Sequence, residues 1–129
     1  MNTSDKGTIA ENLVSDYLES EGYSIRERNC SYRLGEIDIV AQKDETLSFV
    51  EVKLRLDADD GRFDALESFG WSKQKKFIKS VNNYLGRARN LNNPYQIDLV
   101  ILYREAGRLF LEHFKNFEVK KSLEKYLVA

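Results

Sequence analysis

The sequence predicts one α/β domain over residues 1–129, built on a mixed sheet with the element order α-β-β-β-α-β-β-α. Two stretches repeat apolar residues every three or four positions, which is typical of amphipathic helices. Between them, apolar and polar residues alternate as they do in half-buried strands. An apolar run after the second helix predicts a strand that returns parallel to the earlier ones. A chain of 129 residues forms one such domain and is too short for two.

The first helix is predicted from an apolar stripe that ends near Gly22, where a glycine commonly terminates a helix. The stripe consists of Ala10, Leu13, Val14, Tyr17 and Leu18. Glu11 lies at the edge of this stripe, so its side chain can point along the sheet surface toward the predicted hairpin. Glu11 can equally close a capping box with Thr8 at the helix start, and the sequence leaves both interpretations open.

Three consecutive strands are predicted next, over 23–29, 35–41 and 47–55. In the middle strand Glu36 and Asp38 share one face, because side chains two apart point the same way. The opposite face of that strand is apolar, with Ile37, Ile39 and Ala41. In the third strand Glu51 and Lys53 share a face, so Asp38, Glu51 and Lys53 converge if the strands register.

Two carboxylates beside a lysine on an apolar hairpin suit a metal site, since buried charge is costly unless it is paired or metal-bound. Mg²⁺ accepts one or two carboxylates and completes its shell with water and substrate phosphate. The alternative is a cross-strand ion pair between Glu51 and Lys53, which contributes only a few tenths of a kcal/mol on a solvated face.

The rest of the chain is predicted as a loop over 57–64, a helix over 72–85, strands over 97–103 and 108–114, and a helix over 118–127. The acidic loop superficially resembles a calcium loop. Its glycine falls at the fifth place instead of the sixth, and Ser68 stands where a bidentate glutamate would be needed, so an EF-hand is rejected. The second helix is expected to stop at Gly86.

The net charge is only −1, but the charge is unevenly distributed. Residues 68–97 contain no Asp or Glu and carry six Lys and Arg residues, a basic field of the kind that phosphate-binding proteins use. A solvated helix face is the alternative. Helical phase places Lys73, Lys76 and Arg87 on the flank of the apolar stripe, where the two lysines can face a site. It places Lys75 and Lys79 nearly opposite to the core.

Several other classes of protein are excluded. The single cysteine, Cys30, offers neither a disulfide framework nor a zinc site. His113 is the only histidine, and no local pattern supports Cys30 and His113 as a nucleophile and base. Neither a signal peptide nor an apolar run of membrane-spanning length is recognisable, so a cytoplasmic protein is expected.

Two motifs carry a family resemblance: Gly35-Glu36-Ile37-Asp38, and Phe49-Val50-Glu51-Val52-Lys53, whose Glu51 follows Asp38 by thirteen positions. The chain resembles the PD-(D/E)xK nuclease superfamily, within it the archaeal Holliday junction resolvases, and most closely the YraN-like family of predicted endonucleases. The resemblance covers about residues 7–117. It extends to Tyr17-Leu18, Gly22-Tyr23, Arg28-Asn29, Lys73-Gln74, Tyr84-Leu85 and Asp98. It implies a restriction-endonuclease-like three-layer core.

The resemblance also implies roles for particular residues. Asp38 and Glu51 correspond to ligands of Mg²⁺ or Mn²⁺, Lys53 to the residue that positions the attacking water, and Glu11 to an auxiliary ligand. The residues expected to contact nucleic acid are Lys73 and Gln74 from the resemblance, with Lys76 from the charge pattern. The chain departs from the family pattern at Ala10, Leu54 and Gln96.

The predicted function is metal-dependent hydrolysis of DNA phosphodiester bonds, including branched or single-stranded DNA. A homodimer is compatible with resolvases that cut two strands symmetrically. The alternative is a nucleic-acid-binding or partner-recruiting module that keeps a nuclease fold without useful turnover.

Overall fold

The computed structural model describes residues 3–33, 35–57, 60–87 and 92–117. Within them lie three helices and five strands: α1 Thr3–Ser20, β1 Ser24–Tyr32, β2 Gly35–Lys43, β3 Thr46–Arg55, α2 Gly61–Ser68, α3 Trp71–Arg87, β4 Tyr95–Glu105 and β5 Arg108–Phe114. The helix predicted over 118–127 lies outside the described residues.

The strands form one sheet in the order β1-β2-β3-β4-β5. Neighbours are antiparallel except β3 and β4, which run parallel from the pair Leu47 and Tyr95 to the pair Arg55 and Tyr103. A parallel pair needs a long crossover, and α2 and α3 supply it. The predicted mixed α/β fold is therefore confirmed.

Helices cover both faces of the sheet. On one face, here called the α1 face, Val14 and Leu18 of α1 are fully buried with Ile39 and Val50 of the sheet. On the other, here called the α3 face, Phe77 and other residues of α2 and α3 pack on apolar side chains of β2, β3 and β4. Apolar burial on both faces stabilises the central strands. This three-layer arrangement fits a restriction-endonuclease-like core.

Helix α2 corrects the predicted loop over 57–64. Its eight residues are too few and too polar to predict a helix from sequence, and tertiary packing stabilises it instead. Ala65 is fully buried. A Cβ atom at Gly61 would lie 2.9 Å from the carbonyl oxygen of Arg55, so only glycine lets α2 begin so close to the end of β3.

Helix α3 confirms the helix predicted over 72–85, but it does not stop at Gly86. It continues to Arg87, whose guanidinium lies over the Tyr32 ring at 5.1 Å from the centroid. At the other flank of this contact, β2 begins very close to α3: a Cβ atom at Gly35 would lie 2.9 Å from Ser80 Oγ. The end of β1 and the start of β2 are thus fixed against α3.

Candidate active site

The hairpin of β2 and β3 opens at Asp38. Paired residues run from Lys43 with Thr46 to Ile39 with Val50, where the regular ladder ends. Beyond it, the backbone N–H of Val52 donates to Asp38 Oδ2 at 2.8 Å. A side-chain carboxylate thereby takes the place of a backbone acceptor, and it holds Asp38 between the two strands with only 6% of its surface exposed.

Strand β1 is irregular at the same level. Arg28 pairs with Ile39 and Cys30 with Ile37, so Asn29, with φ of 53°, lies opposite Asp38. Asparagine tolerates this left-handed conformation better than most residues. The left-handed residue reverses the pleat, and side chains on either side of it point to opposite faces of the sheet.

This reversal overturns one prediction. Ile37 and Ile39 were expected on one face, but Ile37 packs on the α3 face and Ile39 on the α1 face. In β1, likewise, Arg28 reaches α1 while Cys30 packs on the α3 face. In β1 the change of face falls at the left-handed Asn29, and in β2 it falls at Asp38, which lies opposite Asn29. Asp38 therefore lies at the position where the side chains of β1 and β2 switch from one face of the sheet to the other.

Asp38 and Glu51 come together, as the strand pairing predicted. Burial, and then contact with the Glu51 carboxyl, raise the pKa of Asp38 to about 8, and the charge of Glu11 acts in the same direction. The hydrogen bond from Val52 N–H lowers that pKa without cancelling the rise. Asp38 therefore favours the protonated form unless a cation offsets the neighbouring acids.

Glu36 is a further acid near Asp38, and no role was predicted for it from the sequence. Burial raises its pKa first, and its interaction with Asp38 raises it further. Its position two residues before Asp38 could have signalled this proximity. Glu36 is exposed, so it lies at the open side of the acid pair.

Glu11 is not a helix cap. Helix α1 begins at Thr3, which places the Thr8 to Glu11 segment well inside the helix and rules out a capping box at its start. Instead, Glu11 Oε2 lies 3.6 Å from Arg28 Nη2, and its charge acts on Asp38. The structure thus brings Glu11 to the acid pair from the α1 side.

Lys53 follows Glu51 by two positions on β3 and is half-buried. The salt bridges of the described residues include none between Lys53 and Glu51, so the simple ion-pair interpretation is wrong. The next basic residue on that strand face, Arg55, is engaged by Asp64 of α2 through a 2.5 Å contact between Nε and Oδ2.

Helix α3 corrects the assignment of Gln74. Gln74 is 2% exposed, and its Nε2 donates to the carbonyl oxygen of Phe69 at 2.7 Å. It stabilises the junction of α2 and α3. Its burial contradicts the predicted contact between Gln74 and a phosphate at the surface. Lys79 is exposed, as predicted, and lines a surface groove of about 400 Å³ with Arg33. Lys73 and Lys76 are exposed, as their predicted role requires.

Cys30 and His113 do not act on each other as a nucleophile and base, as the sequence indicated. Cys30 Sγ donates to Glu27 at 3.2 Å, and burial followed by that carboxylate raises the thiol pKa to about 12. His113 is bound elsewhere: its Nε2 donates to Asp98 Oδ2 at 2.7 Å, and its Nδ1 lies 2.9 Å from the Tyr17 hydroxyl. Asp98, quoted above without a role, is therefore part of a buried network.

The donor set consists of two neighbouring carboxylates, Asp38 and Glu51. The described residues contain no group of three or more His, Cys, Asp or Glu side chains arranged as a metal cage. Mg²⁺ does not need one, because it is commonly held by one or two carboxylates and keeps several waters. Asp38 and Glu51 supply two hard oxygen donors, and their mutual repulsion is what a cation would relieve. These residues fit Mg²⁺ or Mn²⁺.

Comparison with known proteins places the chain in a family. The family model described as "Uncharacterised protein family UPF0102" matches residues 10–102. The chain belongs to the UPF0102 family. This match includes Glu11, Asp38, Glu51 and Lys53, and it confirms the YraN-like part of the resemblance.

Individual UPF0102 proteins match over most of their length. One from Flavobacterium psychrophilum is 34% identical over 112 residues, covering 87% of this chain and 92% of the relative. Another from Clostridioides difficile is 38% identical over 117 residues, covering 90% and 98%. A third, from Nitrosococcus oceani, is 39% identical over 105 residues, covering 80% and 82%. Among the helices described for this UPF0102 protein, none has the length and apolar character needed to span a membrane.

Proposed function

We propose that this UPF0102 protein is a metal-dependent endonuclease that hydrolyses DNA phosphodiester bonds. The observation that carries the proposal is the contact between Asp38 and Glu51 at the open end of the β2–β3 hairpin, with the pKa of Asp38 raised to about 8. Two acids pressed together inside a sheet reduce stability unless a cation binds them. A site that is unfavourable when empty is typical of function.

Asp38 and Glu51 would hold Mg²⁺ or Mn²⁺, with Glu11 and Glu36 beside them. The ion would supply positive charge against the scissile phosphate and lower the pKa of a water molecule toward neutrality. Lys53 would direct its ammonium group at the charge that develops on the phosphate. Because Lys53 has no salt bridge to a described residue, its charge is available for this task.

The basic flank of α3 supports DNA as the substrate. Lys76 follows this flank, and its carbonyl oxygen lies beside Gly35, three residues before Asp38. Cations at this position would neutralise backbone phosphates without reading the bases. A homodimer would present two such sites to the two strands of DNA. Sedimentation can measure whether the protein is a dimer in solution.

The test is a cleavage screen with the purified full chain and Mg²⁺ or Mn²⁺ over duplex, single-stranded, flap and four-way DNA. We expect cleavage that Glu51→Gln abolishes while DNA binding persists. Lys53→Ala should also stop cleavage but leave metal binding intact, because Lys53 would act on the attacking water and the phosphate and not on the metal ion. Glu67→Gln, an exposed acid on α2, is the matched control and should cleave normally.

A wild-type protein that binds DNA but takes up neither metal and cuts none of these substrates would contradict the proposal. That outcome would favour a nucleic-acid-binding module. Metal uptake can be followed by the melting temperature, which should rise with Mg²⁺ in the wild type and not in Asp38→Asn.

A further inference from the structure

A groove of about 500 Å³ runs along the outer edge of β1, against the last turn of α3. Its walls are residues 27–32 of β1 together with Tyr84 and Arg87 of α3. Because β1 is an edge strand, this side of the sheet is open. None of the lining residues is among those assigned to the reaction above.

The groove is continuous with the acid site. Arg28 lines the groove and also lies 3.6 Å from Glu11, and Asn29 lines it while standing opposite Asp38 in the sheet. A strand of DNA whose phosphate lies at the acids would therefore continue into the groove.

The chemistry of the groove favours nucleic acid. At its far end the Arg87 guanidinium covers the Tyr32 ring, with the carbon of the guanidinium 5.1 Å from the ring centroid. This stack presents a planar, charged surface, and bases stack well on such surfaces whatever their sequence. At its near end, the Arg28 side chain is 32% exposed beside Glu11. Its guanidinium can therefore donate to a phosphate oxygen that lies in the groove.

We propose that this groove binds an unpaired nucleotide stretch adjacent to the cleaved bond. The base would stack on the Arg87 and Tyr32 platform, and a phosphate oxygen would accept from Arg28. This inference rests on the proposed nuclease function and deepens it, because it makes DNA with a single-stranded segment the preferred substrate. A paired duplex keeps its bases stacked on each other and cannot offer one to the platform.

The test measures binding without cleavage, by fluorescence anisotropy in EDTA. The probes are a blunt duplex and the same duplex with a single-stranded tail that contains 2-aminopurine, whose fluorescence reports stacking. We expect the wild type to prefer the tailed probe and to change its 2-aminopurine emission. Arg87→Ala should weaken binding of the tailed probe ~10-fold and abolish the emission change, with little effect on the blunt duplex.

Two further variants separate stacking from charge. Arg87→Lys keeps the charge but loses the planar guanidinium, so it should behave like Arg87→Ala. Lys75→Ala is the matched control: it removes another exposed cation of α3, which lies over Trp71 instead, and should leave the preference for the tail unchanged. Both positions are exposed, so these variants should fold, and their melting temperatures check this.

Equal affinity of the wild type for blunt and tailed probes would overturn the groove proposal, as would a wild-type preference for the tailed probe in Arg87→Lys. These outcomes are independent of catalysis. A protein that cuts DNA but is indifferent to Arg87 would keep the nuclease function and lose the groove. A protein that cuts nothing but selects tailed DNA through Arg87 would lose the nuclease function and keep the groove.

Discussion

At the scale of single residues, the most informative group is Asp38. Its carboxyl is buried, accepts from Val52 N–H and contacts Glu51, and the sum of these effects raises its pKa to about 8. The unfolded chain has a pKa near 4 for Asp. The folded protein therefore binds a proton at Asp38 over a pH range in which the unfolded chain has lost it.

The first prediction concerns stability in the absence of metal. A folded pKa above the unfolded value gives stability that is complete below about pH 4 and is lost as pH rises toward about 8. The contribution of Asp38 to the free energy of unfolding should thus fall between these limits by about 2 kcal/mol or more. Asp38→Asn should flatten this dependence, and urea unfolding in EDTA from pH 5 to 9 measures it.

Asp16→Asn, an exposed acid on α1, is the control and should follow the wild type. Parallel profiles for the wild type and Asp38→Asn would show that the acid pair is not strained. Adding Mg²⁺ at pH 8 should restore stability to the wild type alone, because the ion replaces the proton between the carboxylates.

Sequence alone could predict that Asp38 meets Glu51, because the alternation in two strands and a short turn fix their register. It could not predict that Asn29 changes the face of the flanking residues. A left-handed residue interrupts the period without leaving a periodic signal of its own. The Arg28 contact with Glu11 depends on that interruption, so the groove was also beyond sequence analysis.

At the scale of elements, α3 and α2 differ in how far the sequence determines them. Helix α3 has a strong apolar stripe, and its prediction was confirmed. Helix α2 has only eight residues, with Gly61 and Ala65 buried and Phe63 exposed, so its sequence carries no clear helical period. Gln74 was misplaced because a polar residue near a helix start looks exposed, while the turn from α2 folds over it.

The second prediction concerns the two faces of α3. The Lys76 carbonyl oxygen lies beside Gly35, three residues before Asp38, whereas the Lys75 ammonium lies over the Trp71 ring at 4.0 Å. Lys76→Ala should weaken binding of all DNA probes and reduce the log-log salt slope by about 0.9, the value of one lost phosphate contact. Anisotropy titrations at several salt concentrations measure this slope. An equal change in Lys75→Ala would contradict the assignment of the flank.

Across the described fold, a buried network connects α1 to β5. Tyr17 of α1 contacts His113 of β5, which donates to Asp98 of β4. Asp98 is 0% exposed and also accepts from Gln96 Nε2 and from the N–H of Asn116, both at 2.9 Å. The network thus joins α1 to β4 and β5. Its directional hydrogen bonds fix the orientation of α1 on the sheet more specifically than burial of apolar side chains alone would.

The third prediction tests this connection. His113→Ala should lower the free energy of unfolding by about 3 kcal/mol, since it leaves the buried Asp98 carboxylate without its closest donor. Tyr17→Phe removes only the outer hydrogen bond and should cost about 1 kcal/mol. Denaturant unfolding at pH 7 compares the two variants. Equal losses from both would show that the network acts only through packing.

The position of β3 in the sheet bears on how the chain folds as it is synthesised. β3 is complete at Arg55, but its parallel neighbour β4 begins only at Tyr95. While the residues between them leave the ribosome, β3 has one unpaired edge along strand residues that include Phe49 and Val50, both fully buried in the finished protein. Such an edge pairs readily with other chains.

We therefore expect a vulnerable interval in biosynthesis that closes when β4 emerges. Chains ending at residue 92 should aggregate or be held by chaperones, whereas chains extended through Phe117, which include both β4 and β5, should remain in solution. Pelleting of the two lengths after cell-free synthesis compares them, and equal recovery in the supernatant would argue against this order of events.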